Sequence, residues 1–188
     1  KSFINMEMFD VVDELGNPTG EVVSRKLAHE KGIRHRASHI WVVNRDEKGA
    51  RVLLQKRSLE KDSFPGKLDT SSAGHIQAGD EPLESALREL GEELGIFPKP
   101  EELTFIGTFS FSFEKVFHSK PFCDNEVAFV YVYNKKVDID SLTLQKEEVE
   151  SVCWRDIKEV YKARLEHNDE YCVPAQSLKM LMDYLDIK

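Results

Sequence analysis

Three glutamates at helical spacing are the residues of this sequence best suited to carry out chemistry. Glu89, Glu92 and Glu93 stand at positions i, i+3 and i+4, so a helix would place them on one face. Stabilising i,i+4 pairs would alternate glutamate with lysine, and no basic residue interrupts this face. Because Mg²⁺ prefers carboxylate oxygens and retains exchangeable waters, a divalent ion would relieve the repulsion among these side chains. The alternative for such a motif on its own is a solvated acidic face without a ligand.

A helix predicted over residues 82–94 must position these glutamates. Asp80 is expected to cap its first turn, Pro82 fits a position that needs no backbone donor, and Gly95 supplies the end. A second face carries an apolar stripe that would pack against a core. The stripe consists of Leu83, Ala86, Leu87, Leu90 and Leu94.

The rest of the chain contains strand-like segments and two closing helices. This order predicts an α/β (α+β) fold with mixed sheets, in one domain that spans residues 1–188. Residues 1–7 are expected to form a flexible tail, and no helix or strand is predicted for the glycine-rich passage over residues 64–79. The predicted strands are 8–13, 21–23, 38–44, 51–56, 103–113, 127–133 and 149–154, and the further helices are 24–30, 156–165 and 176–185.

Composition limits the classes of partner. The 188 residues have a formal net charge of -8, with 40% hydrophobic and 32% charged residues, which is typical of a soluble globular protein. This acidity argues against a nucleic-acid polymer or an anionic membrane as a partner, while a local basic pocket can still bind a small phosphorylated ligand. Three cysteines without a CxxC pair argue against a disulfide framework, and no stretch reaches the roughly 18 apolar residues of a membrane span. A cytoplasmic location is therefore predicted, without any prediction of oligomeric state.

The segment from Gly74 to Ile96 resembles the Nudix box, the signature of a superfamily of diphosphate hydrolases. Glycine, an acidic residue, Arg-Glu, Glu-Glu and a final glycine all occur at the spacing of that motif, and the one departure is Asp80 in place of glutamate. The resemblance implies a Nudix-type α/β/α sandwich with mixed sheets and a hydrolase that depends on Mg²⁺ or Mn²⁺. Its small-molecule diphosphate substrate would be a nucleoside diphosphate or a nucleoside-diphosphate-linked compound, cleaved by metal-activated water.

The resemblance also implies roles for individual residues. Glu92 and Glu93 would be metal ligands, and Glu89 would be either a ligand or the base that activates water. Arg88 would orient the glutamates, so the four residues together are the candidate catalytic set. Further metal ligands would come from outside the helix, namely the backbone carbonyl of Ala73 and the side chain of Glu126.

A second resemblance, to the branch of the superfamily that contains isopentenyl-diphosphate isomerase, covers roughly residues 22–133. It is carried by the motifs over residues 54–58 and 64–75. The isomerase binds a metal through three histidines and two acidic residues, so the resemblance implies a second site for Zn²⁺, Mn²⁺ or Fe²⁺. The alternative is that these histidines only form hydrogen bonds. The matching residues are His29, His35, His75, Asp124 and Glu126.

Departures from the isomerase favour hydrolysis. Ala73 occupies the place of the isomerase's proton-transferring cysteine, and alanine cannot move a proton. The glutamates of the helix are present, whereas the isomerase has lost most of them. Isomerisation and a non-catalytic ligand-binding module therefore stand as the second and third hypotheses.

Basic and aromatic side chains indicate where a substrate would bind. Arginine forks and lysine charges recognise phosphate, and the alternative for any single one is a role in solubility alone. Four phenylalanines could form a wall for a base or a prenyl group, or belong to the core. No role is predicted for the run over residues 143–149. The phosphate candidates are Arg25, Arg57, Lys61 and Lys67, and the phenylalanines are Phe109, Phe111, Phe113 and Phe117.

Overall fold

The computed structural model describes residues 7–188, and within them the chain forms nine strands and four α-helices. The predicted tail lies outside these residues except for Glu7, whose backbone carbonyl accepts a hydrogen bond from the Arg25 N–H at 2.9 Å. The elements are β1 (Met8–Val12), β2 (Pro18–Ser24), α1 (Arg25–Lys31), β3 (His35–Asp46), β4 (Gly49–Arg57), β5 (Leu68–Asp69), β6 (Ser72–His75), α2 (Pro82–Leu94), β7 (Leu103–Phe117), β8 (Lys120–Tyr133), β9 (Val149–Asp156), α3 (Ile157–Leu165) and α4 (Ala175–Tyr184).

A mixed sheet with the strand order β5-β4-β3-β8-β7 forms the centre of the fold. Strands β3 and β8 run parallel, whereas β3 and β4 pair antiparallel and only between Val43–Asp46 and Gly49–Val52. Beyond that short ladder the two strands take different partners, because β3 pairs with β6 while β4 pairs with β5 and β9. This divergence leaves space between the two halves of the sheet.

Alternate residues of β3 face two separate cores. Ile40 and Val42 pack in a cluster with Leu90 and other apolar residues of α2. Trp41 and Val43 pack in a second cluster that includes residues of α3 and α4. Because successive side chains of a strand point to opposite faces, helices cover both sides of the sheet. The α/β/α sandwich is confirmed.

Helix α2 spans the predicted residues but begins differently from the prediction. Its N-cap is Glu81, with no side-chain cap, so the prediction that Asp80 caps the helix is wrong. Gly95 ends the helix in the left-handed conformation, with φ of 71°, and a Cβ there would lie 3.1 Å from the backbone nitrogen of Thr143. A glycine is therefore required by both backbone conformation and close packing.

Several strands differ from the sequence-based boundaries. Strands β7 and β8 extend as one long hairpin that turns at His118 and Ser119, both with positive φ. The glycine-rich passage contains the short strands β5 and β6, which propensity does not reveal because their pairing partners are distant in sequence. Within residues 7–188, no helix is both long and apolar enough to cross a membrane.

Candidate active site

Glu93 is a buried carboxylate held in one orientation between β4 and β6. Its Oε1 accepts hydrogen bonds from Ser72 Oγ at 2.6 Å, from the Ala73 backbone N–H at 3.1 Å and from Gln55 Nε2 at 3.4 Å. All three bonds go to the same oxygen, which leaves Oε2 available for another ligand. Burial raises the pKa of Glu93 to about 7, although the hydrogen bond from Ser72 opposes this rise.

Glu89 lies one helical turn away and packs across Gly74. A Cβ at position 74 would stand 2.1 Å from the Glu89 Cδ, so the glycine makes room for this carboxylate. Burial, followed by the negative charges of Glu93 and Glu92, raises the pKa of Glu89 to about 9. Such a group takes up a proton or a cation at neutral pH.

The three glutamates of α2 are not equally placed. Glu89 is half-buried and Glu93 is buried, whereas Glu92 is exposed at the rim of the same face. Among residues 7–188, groups of three or more potential ligands with all ligand atoms within 4.8 Å form around His35 and do not include these glutamates. Gathering three like charges more closely requires a cation to balance them.

Arg88 connects the start of the helix to the glutamates. Its guanidinium donates to Asp80 Oδ2 at 2.7 Å and to Ser85 Oγ at 3.4 Å, and it lies 3.8 Å from Glu89 Oε1. Asp80 therefore accepts a hydrogen bond from Arg88 instead of capping the helix. A shorter side chain than glutamate suffices for this contact.

The run over residues 143–149, which had no predicted role, packs against the end of α2. Its backbone N–H groups at Thr143 and Gln145 donate to the carbonyls of Leu94 and Glu93, both at 3.1 Å. Glu148 forms an ion pair with Lys61, and its charge contributes to the raised pKa values of Glu89 and Glu93. Glu148 is thus a further acidic residue of the site, and sequence reasoning missed it because nothing local links residue 148 to the helix.

Three of the four predicted phosphate-binding side chains line one cavity of about 310 Å³. Each is paired with a carboxylate: Arg25 with Asp62 at 2.5 Å, Arg57 with Asp69 at 3.2 Å, and Lys61 with Glu148. Lys67 is half-buried outside the lining, where its backbone carbonyl accepts from the Arg57 N–H at 2.9 Å. The structure thus brings Arg25, Arg57 and Lys61 together and leaves Lys67 apart.

Strand β6 lines this cavity and contacts both acidic groups. Ala73, Gly74 and His75 all line it. The Ala73 N–H donates to Glu93 on one side, and the His75 Nε2 lies 3.6 Å from Glu126 Oε1 on the other. Strand β6 therefore touches Glu93 on one side and Glu126 on the other, and of these two only Glu126 lines the cavity.

The five residues of the predicted second metal site converge. Asp124 Oδ1 lies 3.4 Å from His35 Nε2 and 3.7 Å from His29 Nε2. Glu126 Oε1 lies 3.8 Å from His35 Nε2, so Glu126 belongs with the histidines in this structure. Parallel pairing of β3 with β8 explains the arrangement, because His35 stands directly beside Glu126 in the register.

The histidines are prepared to act as ligands. The Nε2 atoms of His29 and His35 are buried without a hydrogen-bond partner among residues 7–188. The His35 Nδ1 lies 2.8 Å from the Ile33 carbonyl, which selects the tautomer with a proton on Nδ1 and a lone pair on Nε2. Burial lowers the pKa of His29 to about 4 and lowers that of His35. Neutral imidazoles facing carboxylates fit a bound transition-metal ion better than a merely hydrogen-bonded cluster.

Comparison with known proteins identifies the class that this fold and site define. The family model described as NUDIX domain matches residues 33–176. An uncharacterized Nudix hydrolase of Clostridium acetobutylicum is 42% identical over 154 residues, which cover 82% of this chain and 72% of that protein. The chain belongs to the Nudix hydrolases, as the match of its residues 74–96 to the box indicates.

Solved structures with the same fold are more distant in sequence. The crystal structure of DR0079 from Deinococcus radiodurans aligns with a TM-score of 0.66 and 20% identity, over 95% of this chain and 99% of that one. The Nudix domain of NrtR from Shewanella oneidensis, solved in complex with ADP ribose, aligns with a TM-score of 0.55 and 15% identity, over 80% of this chain and 87% of that one. At these identities the likeness establishes the fold.

Proposed function

We propose that this chain is a Mg²⁺-dependent hydrolase that uses metal-activated water to cleave a diphosphate bond. The substrate is a nucleoside diphosphate or a nucleoside-diphosphate-linked compound. The single observation that carries the proposal is the geometry of Glu93, whose Oε1 is held by three donors while Oε2 stays available beside Glu89. The ADP ribose in the related NrtR domain supports the substrate class by analogy.

Two carboxylates of α2 would hold the metal, and a third would move a proton. Glu93 and Glu92 would bind Mg²⁺ or Mn²⁺, with the Ala73 carbonyl as a further ligand. When bound, the metal supplies a polarised phosphoryl oxygen and a water of lowered pKa. Glu89 would accept the proton of the attacking water while the bridging phosphorus–oxygen bond breaks, and Arg88 would keep the Glu89 carboxylate in place.

Basic side chains of the cavity would bind the diphosphate. Arg25 and Lys61 both line the space beside Gly74, so they can neutralise charge on the phosphoryl oxygens. Arg57 would contribute a planar fork from β4. Their present carboxylate partners would be exchanged for phosphate oxygens when the substrate binds.

A second metal ion is proposed at the histidine cluster. The buried, unpartnered Nε2 atoms of His29 and His35 and the two facing carboxylates support a transition-metal ion there. His75, Asp124 and Glu126 would complete the ligand set. Metal analysis of the purified protein by mass spectrometry tests this, and less than one tenth of an equivalent after incubation with Zn²⁺, Mn²⁺ or Fe²⁺ would refute it.

One substrate screen tests the hydrolase proposal. Nucleoside diphosphates, sugar nucleotides, dinucleotides and prenyl diphosphates are incubated with Mg²⁺ or Mn²⁺ in ¹⁸O-labelled water, and the products are identified. We expect ¹⁸O in a phosphate product and loss of turnover in Glu93→Gln. Glu84→Gln, an exposed glutamate of the same helix, is the matched control and should remain active. Turnover that persists without any divalent ion would contradict the proposal.

The histidine cluster favours one alternative, an isopentenyl-diphosphate isomerase. Ala73 argues against it, because no acid stands at the position of the isomerase cysteine. Deuterium exchange into isopentenyl diphosphate would support the isomerase, whereas hydrolysis without exchange would exclude it. Metal and nucleotide binding without turnover across the whole panel would instead favour a non-catalytic module.

The remaining predictions about the chain stay proposals. We propose a single domain over residues 1–188 and a cytoplasmic location, the latter from three cysteines that are unpaired in the structure. A net charge of -8 supports a small-molecule partner over a nucleic-acid polymer or a membrane.

A further inference from the structure

Four side chains of the cavity form a further cluster, in addition to the proposed metal-binding and phosphate-binding residues. His39, Asp69, Phe111 and Arg164 all line the space. The rings of His39 and Phe111 are 6.1 Å apart, and the charge of Asp69 acts on the His39 ring. These four residues are called the inner group below.

His39 keeps hydrogen-bonding capacity that the protein does not use. The residue is 6% exposed, and its Nδ1 is buried without a hydrogen-bond partner among residues 7–188. It stands on the same face of β3 as His35 but lies outside the groups that could hold a metal in the described residues. A buried polar atom without a partner is costly, so His39 Nδ1 is suited to form a hydrogen bond with a ligand.

Arg164 and Asp69 provide charged groups with spare hydrogen-bonding capacity in the lining of the same cavity. The Arg164 Nε is also buried without a partner among the described residues, although its Nη1 donates to the Tyr171 carbonyl at 2.8 Å. Asp69 Oδ2 accepts from Arg57 at 3.2 Å and retains a further lone pair. The inner group therefore offers at least one donor and one acceptor to a ligand.

A row of aromatic rings forms the wall next to these polar atoms. Phe111 stacks on Phe109 at 5.6 Å and on Phe113 at 6.4 Å, and the Phe111–Phe113 planes differ by only 7°. Phe111 and Phe113 line the cavity, while Phe109 is buried and is not among the lining residues. Such a wall accepts a flat ring by stacking.

We propose that the inner group recognises a flat heteroaromatic base that carries an N–H donor beside a ring acceptor, and that His39 determines this specificity. The inference rests on the proposed function, because the base is the group attached to the diphosphate. An alkyl chain would cover His39 Nδ1 and Arg164 Nε without bonding to either. A sugar would satisfy the polar atoms but would not use the aromatic wall.

Binding of three matched, non-hydrolysable ligands tests this subsite. Isothermal titration calorimetry with Mg²⁺ compares a methylene-bridged nucleoside diphosphate, methylenediphosphonate without a base, and its geranyl derivative. We expect the nucleoside analogue to bind at least about tenfold more tightly than the base-free ligand, as a stacked base with one hydrogen bond implies. His39→Leu should weaken the nucleoside analogue about tenfold and leave methylenediphosphonate within about twofold.

Two further variants separate recognition from structure. His39→Asn retains a polar side chain and should recover part of the nucleoside affinity. His167→Asn replaces an exposed histidine outside the cavity and should change nothing. Equal weakening of both ligands by His39→Leu, or tighter binding of the geranyl derivative than of the nucleoside analogue, would overturn the proposal.

Failure of the subsite and failure of the proposed function give different results. Mg²⁺-dependent hydrolysis without any preference for a base-carrying ligand would refute the subsite proposal and leave the hydrolase proposal intact. The opposite result is a protein that hydrolyses no diphosphate of the panel but prefers base-carrying ligands, with a preference that His39→Leu abolishes. That result would refute the hydrolase proposal and support the base subsite.

Discussion

Replacing Glu93 by glutamine should make the metal-free protein more stable while it removes activity. The pKa of Glu93 is raised by burial from 4.5 to about 7. Its stabilising contribution is therefore complete below pH 4.5 and is lost as the pH rises from 4.5 to 7. At about 1.36 kcal/mol per pKa unit, the loss at pH 8 is on the order of 3 kcal/mol.

Glutamine has the shape of glutamate and no charge to desolvate. Its carbonyl oxygen can take the place of Oε1 and keep the donors Ser72, Ala73 and Gln55, all of which bond to that one atom. Its NH₂ group then replaces Oε2, where a metal would bind. The variant should gain about 3 kcal/mol at pH 8, or roughly 6–12 °C in melting temperature, and about 1 kcal/mol or less at pH 5.

Thermal unfolding with EDTA at pH 5 and pH 8 measures this gain, and the same scan with Mg²⁺ measures metal binding. Mg²⁺ should raise the melting temperature of the unaltered protein and leave Glu93→Gln unchanged, with turnover reduced by at least about 10²-fold. A variant that is less stable than the unaltered protein at pH 8 in EDTA would refute the reasoning. Glu84→Gln, at an exposed position of the same helix, should show neither effect.

Three further perturbations test other parts of the site. Gly74→Ala should displace the Glu89 carboxylate, since its Cβ would lie 2.1 Å from Cδ, and lower kcat about 10–100-fold; unchanged kinetics at saturating Mg²⁺ would contradict this. His35→Gln should remove the bound transition metal, measured by mass spectrometry, and full metal content in this variant would disprove its role. Lys61→Met should lower kcat/KM about tenfold and weaken its dependence on ionic strength, because one charge-assisted phosphate contact is lost; an unaltered salt dependence would exclude that contact.

Helix α2 was predictable because the residues that define its ends and faces lie within the helix or directly beside it in sequence. The positions of Pro82 and Gly95 set its ends, and the spacing of its glutamates and leucines set its two faces. The start was misjudged because Asp80 has two potential partners, and the hydrogen bond from Arg88, eight residues further along the chain, replaces the cap. Propensity cannot decide between a local and a distant partner for the same carboxylate.

Residues that meet across the fold were accessible only through resemblance. His35 and Glu126 are brought together by the parallel pairing of β3 with β8, and single-sequence patterns do not specify which strands pair. The ion pair of Lys61 with Glu148 also joins residues that are distant in sequence. The sequence therefore predicted no role for the run over residues 143–149, and only the structure shows its contacts with α2.

The carboxylate partners of Arg25, Arg57 and Lys61 bear on which anions the cavity admits. A bare monoanion would have to compete with side chains that the backbone keeps at high effective concentration, and it would leave a displaced carboxylate without a counter-charge. A diphosphate that chelates a metal brings its own cation. That cation can pair with the released carboxylates, while the diphosphate oxygens pair with the arginines and the lysine. We therefore expect the internal neutralisation of the pocket to discriminate against simple salts without steric exclusion.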